Sequence, residues 1–104
     1  MIDLEKQDLD EIKALLRYHV PDCEIRAYGS RVKGTARKYS DLDLVVVGDK
    51  SLDLRKIDSL KDAFSGSNLP IMVDIQDWYH ISESFRKLIE EKYVVIQKPE
   101  GNNA

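Results

Sequence analysis

The run Asp41-Leu42-Asp43-Leu44-Val45-Val46-Val47, closed by Gly48, constrains the fold more than any other part of the chain. It is short, β-branched and bounded by a turn residue, which is the pattern of a central strand. Side chains two apart on a strand share a face, so Asp41 and Asp43 project together while Leu42 and Leu44 face the other way. Like charges this close repel unless a proton or a cation lies between them. A divalent metal is the natural remedy, and magnesium, which takes oxygen ligands and completes its shell with water and substrate phosphate, suits the pair. Softer ligands are scarce: Cys23 is the single cysteine and His19 and His80 the only histidines, so neither an intrachain disulfide nor a zinc site is expected. An isolated Asp-x-Asp is weak evidence, and the metal reading depends on what converges with it.

The surrounding pattern alternates helix and strand. Leu9, Ile12, Leu15, Leu16 and Val20 recur at spacings of three and four, predicting an amphipathic helix from Asp3 to His19 that Pro21 stops. Glu24 to Tyr28 suits a strand ending at Gly29-Ser30, followed by a short helical segment. After Gly48, Ser51 is placed to cap a helix running to about Phe64, with Asp53 in its first turn, Leu54, Ile57, Leu60 and Phe64 as its stripe and Gly66 as its end. Pro70 to Ile75 reads as a buried strand. Ser82 is placed to cap a last helix with Phe85, Leu88 and Ile89 on one side, and Tyr93 to Ile96 as a closing strand. The fold class is α/β or α+β, a sheet covered by helices, and alternation alone does not choose between the two.

With 104 residues, 42% of them hydrophobic, there is room for one core, and a single domain over residues 1–97 with a tail at 98–104 is expected. No stretch approaches the roughly 18 apolar residues of a spanning helix, and Met1 to Glu5 lacks the basic flank and apolar run of a secretory signal. A soluble, cytoplasmic protein is therefore expected. Charge is unevenly distributed: residues 25–38 carry Arg26, Arg31, Lys33, Arg37 and Lys38 and no acid, a local +5 that leaves −8 on the rest of a chain totalling −3. General binding to duplex DNA is disfavoured, whereas a small polyanion near residues 25–38 is plausible beside the alternative of a solvated basic loop.

Within that basic stretch, Gly29-Ser30-Arg31 stands where a strand meets a helical turn. Glycine lets the backbone approach a phosphate, and amides at the start of the turn donate to its oxygens. Gly29 to Gly34 also meets the first half of G-x-x-x-x-G-K-[ST], but Thr35 and Ala36 stand where Lys and Ser/Thr are required, so a P-loop enzyme is disfavoured. A third carboxylate, Asp74, follows the apolar run Ile71-Met72-Val73, 31 residues after Asp43. If its strand lies beside that of Asp41 and Asp43, three carboxylates converge and hold two ions roughly 3.5–4 Å apart. The competing reading makes Asp74 a helix cap, with Asp77 also close by.

Together, Gly29-Ser30-Arg31-Val32-Lys33-Gly34, then Ser40-Asp41-Leu42-Asp43-Leu44, then Asp74, resemble the nucleotidyltransferase superfamily typified by DNA polymerase β. The nearer likeness is to the minimal nucleotidyltransferases, the MNT proteins, with their G-S-R-x-x-G and S-D-x-D-L patterns. The resemblance spans residues 1 to about 97; Val32-Lys33 replaces the Ala-Arg of many relatives and preserves a basic side chain. It implies a polymerase β-like fold, a mixed sheet flanked by helices, and attack on the α-phosphate of a nucleoside triphosphate with pyrophosphate leaving. It also implies roles: Gly29, Ser30, Arg31, Lys33 and Ser40 at the nucleotide, Asp41 and Asp43 as magnesium ligands, and Asp74 as ligand and candidate base. MNT proteins are typically paired with a small helical HEPN protein, often a ribonuclease toxin, so the resemblance implies an antitoxin that transfers AMP from ATP to a partner tyrosine with two magnesium ions.

Two other classes remain open at this stage. One is a small-molecule nucleotidyltransferase, although such relatives carry extra helical domains; the other is a non-catalytic module that neutralises its partner by binding alone. Tyr39 reads equally as a base-stacking aromatic or a plain loop residue, and Trp78-Tyr79-His80 as an acceptor-side lining or, for Trp78, as packing. His19 near a helix end and Cys23 as a small buried residue need no catalytic role.

Overall fold

Helix α1 (Lys6–His19) leads into strand β1 (Glu24–Tyr28), the single turn α2 (Ser30–Lys33) and strand β2 (Leu42–Val47). Helix α3 (Leu54–Ser65), strand β3 (Val73–Asp77), a 3₁₀ turn at Trp78–His80, helix α4 (Glu83–Glu91) and strand β4 (Val94–Gln97) follow. The computed structural model describes residues 2–100. The strands form one sheet in the order β3-β2-β1-β4. β1 runs antiparallel to both β2 and β4, while β2 and β3 are parallel, so the sheet is mixed. A parallel neighbour needs a crossover, and α3 supplies it.

The two faces of the sheet are covered differently. Ile25, Ala27, Leu42, Leu44, Val46 and Ile75 pack with Ile12 and Leu16 of α1 and Ile57, Leu60 and Phe64 of α3 in the main core. On the other face Tyr28 and Val45 meet Ile89 of α4, with Phe85, Ile81 and Trp78 around them. Asp43 shares the parity of Val45, so it stands on the α4 face of the sheet while its neighbours Leu42 and Leu44 anchor the strand in the main core. The strand is held from one side and presents carboxylates on the other.

Several boundaries move from their expected places, each for a local reason. Helix α1 starts at Lys6 and not at Asp3, because the Asp3 N–H donates to the Arg31 carbonyl (2.7 Å) and the Asp3 carbonyl accepts from the Arg31 guanidinium (2.8 Å). Helix α3 is capped by Asp53, whose carboxylate accepts from the Arg55 N–H, and not by Ser51. The Leu52 N–H is instead drawn to the Asp77 carboxylate at 2.8 Å, which keeps residues 51–52 out of the helix. Strand β3 begins at Val73, the partner of Leu42, so Pro70 and Ile71 belong to the preceding turn. Ser82 caps α4 as expected, accepting from the Phe85 N–H, but Leu88 is half exposed and leaves the buried stripe to Phe85 and Ile89. Gly66 ends α3, and Cys23 is buried in the main core.

β4 extends one residue beyond the expected Ile96 because Gln97 is buried and donates to the carbonyls of Val20 (2.8 Å) and Cys23 (2.9 Å). Beyond it, the Lys98 carbonyl accepts from Arg17 and the Glu100 N–H donates to the Pro21 carbonyl. Residues 101–104 of the expected tail lie outside the described residues. Trp78 packs between two guanidiniums, Arg26 at 5.0 Å and Arg86 at 5.2 Å from its ring, which ties the 3₁₀ turn to β1 and α4.

Asp77 is the acid that caps. Its buried carboxylate accepts from the N–H groups of both Leu52 and Tyr79, joining the end of β3 to the loop before α3. Asp77→Ala leaves both donors without their partner, and it is expected to cost about 2–3 kcal/mol in chemical denaturation.

Candidate active site

Parallel pairing of β2 with β3 places Asp43 directly opposite Asp74, and antiparallel pairing of β1 places Tyr28 opposite Asp43 on the other side. Asp41 lies two residues before Asp43, one residue ahead of the start of β2, on the same face. The three carboxylates predicted from sequence therefore share one end of one sheet face. Asp43 is partly buried, whereas Asp41 and Asp74 are exposed. The Gln76 amide donates to Asp74 Oδ2 at 3.3 Å. Among the described residues none of the three is within ion-pair distance of a Lys, Arg or His.

The glycine predicted to approach phosphate has a second role. Gly29 has φ +79° and ψ −157°, a region essentially closed to residues with a Cβ. A Cβ built on it would collide with Asp43 Oδ2, so the turn from β1 into α2 passes over the Asp43 carboxylate only because position 29 has no side chain. The Gly29 carbonyl accepts from the N–H groups of Val32 and Lys33, each at 3.0 Å, which closes the α2 turn and leaves its first amides without intrahelical acceptors.

Burial raises the Asp43 carboxyl above the ordinary carboxylate range, and the charges of Asp74 and Asp41 raise it further. Tyr28 is pushed well above an ordinary phenol by burial first and by Asp43 and Asp74 next, so it is a neutral phenol beside the carboxylates. Sequence parity alone did not mark Tyr28, because its place beside Asp43 depends on the register of β1 against β2. Uncompensated negative charge next to a turn of free amides fits a cation that arrives with a phosphate. Among the described residues no three acid, histidine or cysteine side chains form a ready-made metal cage. Magnesium takes one or two protein carboxylates and completes its shell with water and substrate phosphate.

The remaining predicted residues separate into two groups. Lys33 is exposed beside the turn, and Arg37 and Lys38 are exposed on the loop that follows. Lys38 lies over the ring of Tyr39, which is 74% exposed. Arg31 and Ser40 face inward to backbone partners. The Arg31 guanidinium is buried and donates to the carbonyls of Asp3, Arg37, Lys38 and Ser40, and Ser40 Oγ accepts from the Arg37 N–H at 2.8 Å. The structure thus brings Gly29 onto Asp43, and Asp43 opposite Asp74 with Asp41 two residues before it, leaves Lys33 exposed on the α2 turn, and gives the Arg31 guanidinium backbone carbonyls as partners.

Asp43 on β2, Asp74 opposite it on the parallel strand, Asp41 just ahead of β2 and a glycine turn passing over Asp43 are the arrangement that the nucleotidyltransferase resemblance implies. The chain belongs to the nucleotidyltransferase domain family, whose model matches residues 9–97. It is 48% identical over 99 residues to the probable protein adenylyltransferase MntA of Haemophilus influenzae, covering 95% of this chain and 87% of that one. It is also similar to a chain in a crystal structure of a toxin–antitoxin with AMP-PNP, with a TM-score of 0.73 and 25% identity over 88% of this chain and 74% of that one. The fold recurs in a complex of tri-AMPylated Shewanella oneidensis HEPN toxin with MNT antitoxin, with a TM-score of 0.69 and 21% identity over 96% of this chain and 77% of that one. Of the two classes that the sequence left open, the mixed sheet makes the protein α+β, and the polymerase β-like fold that the resemblance implied is the one it has.

Two outcomes follow from the geometry. Gly29→Ala must displace either the turn or Asp43, and a misplacement near 1 Å is expected to lower nucleotidyl transfer about 100-fold, measured as a single-turnover rate. Asp43→Asn removes a charge that is harder to bear in the fold than in the unfolded chain. Because the folded carboxyl is raised, its ionisation lowers stability as pH climbs from the ordinary carboxylate range through the raised value. In metal-free buffer at pH 7, Asp43→Asn is expected to melt above the wild type; the gap closes near pH 3, where the wild-type acid is already protonated.

Proposed function

We propose that this chain is a magnesium-dependent protein adenylyltransferase that moves AMP from ATP to a tyrosine hydroxyl of a helical HEPN toxin and thereby acts as its antitoxin. The observation that carries the reading is the placing of Asp74 opposite Asp43, with Asp41 two residues before it and the Gly29 turn passing over Asp43. The name of the 48% identical relative and the AMP-PNP complex of the 25% identical neighbour support the nucleotide and the protein acceptor. The HEPN identity of the partner follows the MNT resemblance and the AMPylated complex of the more distant neighbour. No helix among the described residues is long and apolar enough to cross a membrane; the reading takes the reaction to be cytoplasmic, where ATP and magnesium are supplied.

In this reading the acceptor oxygen bonds to the α-phosphorus, the bond from that phosphorus to the bridging oxygen breaks, and pyrophosphate leaves. The amides around Gly29 and Ser30 hold the leaving phosphates, and Lys33 balances their charge. Asp41 and Asp43 would hold magnesium, and Asp74, on the outer strand, would join them as a ligand and take the hydroxyl proton. Magnesium, when bound, supplies positive charge at the α-phosphate and lowers the pKa of the incoming hydroxyl. Tyr28, held neutral, carries no charge into the site. Tyr39 stands on the rim of the same loop, exposed and able to stack on a base.

Intact-mass spectrometry of the HEPN partner after incubation with this chain, ATP and magnesium tests the reading. One or more AMP units are expected on the partner with the wild type and none with Asp41→Ala/Asp43→Ala. A stable complex without added mass would assign neutralisation to binding alone; neither complex nor mass gain would point to a small-molecule acceptor.

A further inference from the structure

We propose that Arg31 is a positioning residue that sets the Asp41 carboxylate and does not touch the nucleotide. Its side chain is only 7% exposed, unlike Lys33, Arg37 and Lys38 around it. Each nitrogen of its guanidinium donates to a backbone carbonyl: Nε to Ser40 at 3.0 Å, Nη1 to Asp3 at 2.8 Å, and Nη2 to Lys38 at 3.1 Å and Arg37 at 3.4 Å. No carboxylate among the described residues pairs with it. A buried cation needs compensation, and here it comes entirely from main-chain oxygens of two segments that have no regular structure of their own.

The location of those oxygens gives the clamp its function. Asp43 and Asp74 are held by strand pairing, but Asp41 precedes β2, whose first ladder partners are Leu42 and Val73. The Leu42 N–H is already tied to the Met72 carbonyl at 2.9 Å. The peptide on the other side of Asp41 is that of Ser40, and Arg31 Nε holds its carbonyl. Residues 37–40 are closed on themselves by the Ser40 N–H to the Arg37 carbonyl (3.1 Å) and the Arg37 N–H to Ser40 Oγ (2.8 Å). Arg31 grips this closed turn at three carbonyls and braces it against Asp3, whose N–H returns a bond to the Arg31 carbonyl. The only described acid of the triad outside the strand ladder is thus located by a guanidinium two residues after Gly29. A lysine cannot reproduce this, since a single ammonium nitrogen with three N–H groups cannot span four carbonyls that meet a planar fork of five.

The inference rests on the adenylyltransferase reading for its kinetic arm, and a spectroscopic arm stands without it. With the wild-type chain, the Arg31 Nε–H resonance is expected to be protected from solvent exchange in the free protein and to keep its position when AMP-PNP and magnesium saturate the site. With Arg31→Lys, which keeps the charge, kcat for AMP transfer to the partner is expected to fall about 10- to 100-fold while KM for ATP stays within about threefold. Ser40→Ala, which loosens the same turn without altering Arg31, is expected to show the same split with a smaller fall. An Arg31 Nε–H that exchanges freely, or that is among the most shifted signals on AMP-PNP binding, would overturn the proposal. So would an Arg31→Lys chain with unchanged kcat and a KM for ATP raised tenfold. A wild-type chain that transfers no AMP would remove the function proposed above and leave the resonance to decide the role of Arg31.

Discussion

Asp43 and Asp74 face each other across two parallel strands, with Asp41 beside them and no cation among the described side chains to separate the charges. Elsewhere in a small sheet such a juxtaposition would be selected against, since like charges directly opposite destabilise the pairing. Here much of the architecture works to hold it. Leu42, Leu44, Val45 and Val46 are fully or almost fully buried, and their packing against α1, α3 and α4 keeps the strand in register against its own electrostatics. The crossover through α3 makes β3 parallel to β2, which brings Asp74 to the same end of the sheet as Asp43. Burial raises the Asp43 carboxyl and so places the cost of the arrangement on the protein in its metal-free state. On the proposed function, binding of a cation with the triphosphate would recover that cost and link folding to substrate.

The second layer of the site is made of backbone. Position 29 must lack a Cβ for the turn to cross Asp43, and the turn presents amides where the triphosphate is proposed to lie. The basic stretch divides by burial: Lys33, Arg37 and Lys38 remain at the surface, while Arg31 turns inward and bonds to the loop that carries Asp41. A chain of 104 residues thus places all its charged chemistry on one connection and two strands. Away from the site, Asp77, Gln97 and the contacts of Arg26 and Arg86 with Trp78 tie loop to strand, and every buried side-chain polar atom among the described residues has a partner.

What the sequence made legible was whatever depends on local periodicity. The parity of β2 placed Asp41 and Asp43 together, and Gly29-Ser30 marked the turn. The partnership of Asp43 with Asp74 was different: it requires a parallel pairing after a helix, which no local pattern specifies, and the family resemblance supplied it. Tyr28 escaped notice because its neighbour depends on antiparallel register. The resemblance implied Arg31 at the nucleotide; that its guanidinium binds carbonyls was not legible, because a basic stretch reads alike whether its cations are solvated or bound to carbonyls, and these carbonyls belong to a loop without periodicity. Smaller shifts have the same origin. Ser51 and Asp53 both fit a cap, and the long-range bond from the Leu52 N–H to Asp77 decides between them. Leu88 fits the helical stripe, yet α4 meets the sheet along Phe85 and Ile89 and leaves it in solvent.

Anomalous scattering from manganese in crystals of the chain with AMP-PNP tests most directly whether the three carboxylates form the catalytic centre. A peak within bonding distance of Asp41 and Asp43, with the β- and γ-phosphates against the Gly29-Ser30 amides, is the predicted result. Manganese bound elsewhere, or a triphosphate lying away from that turn while the carboxylates stay unligated, would contradict it.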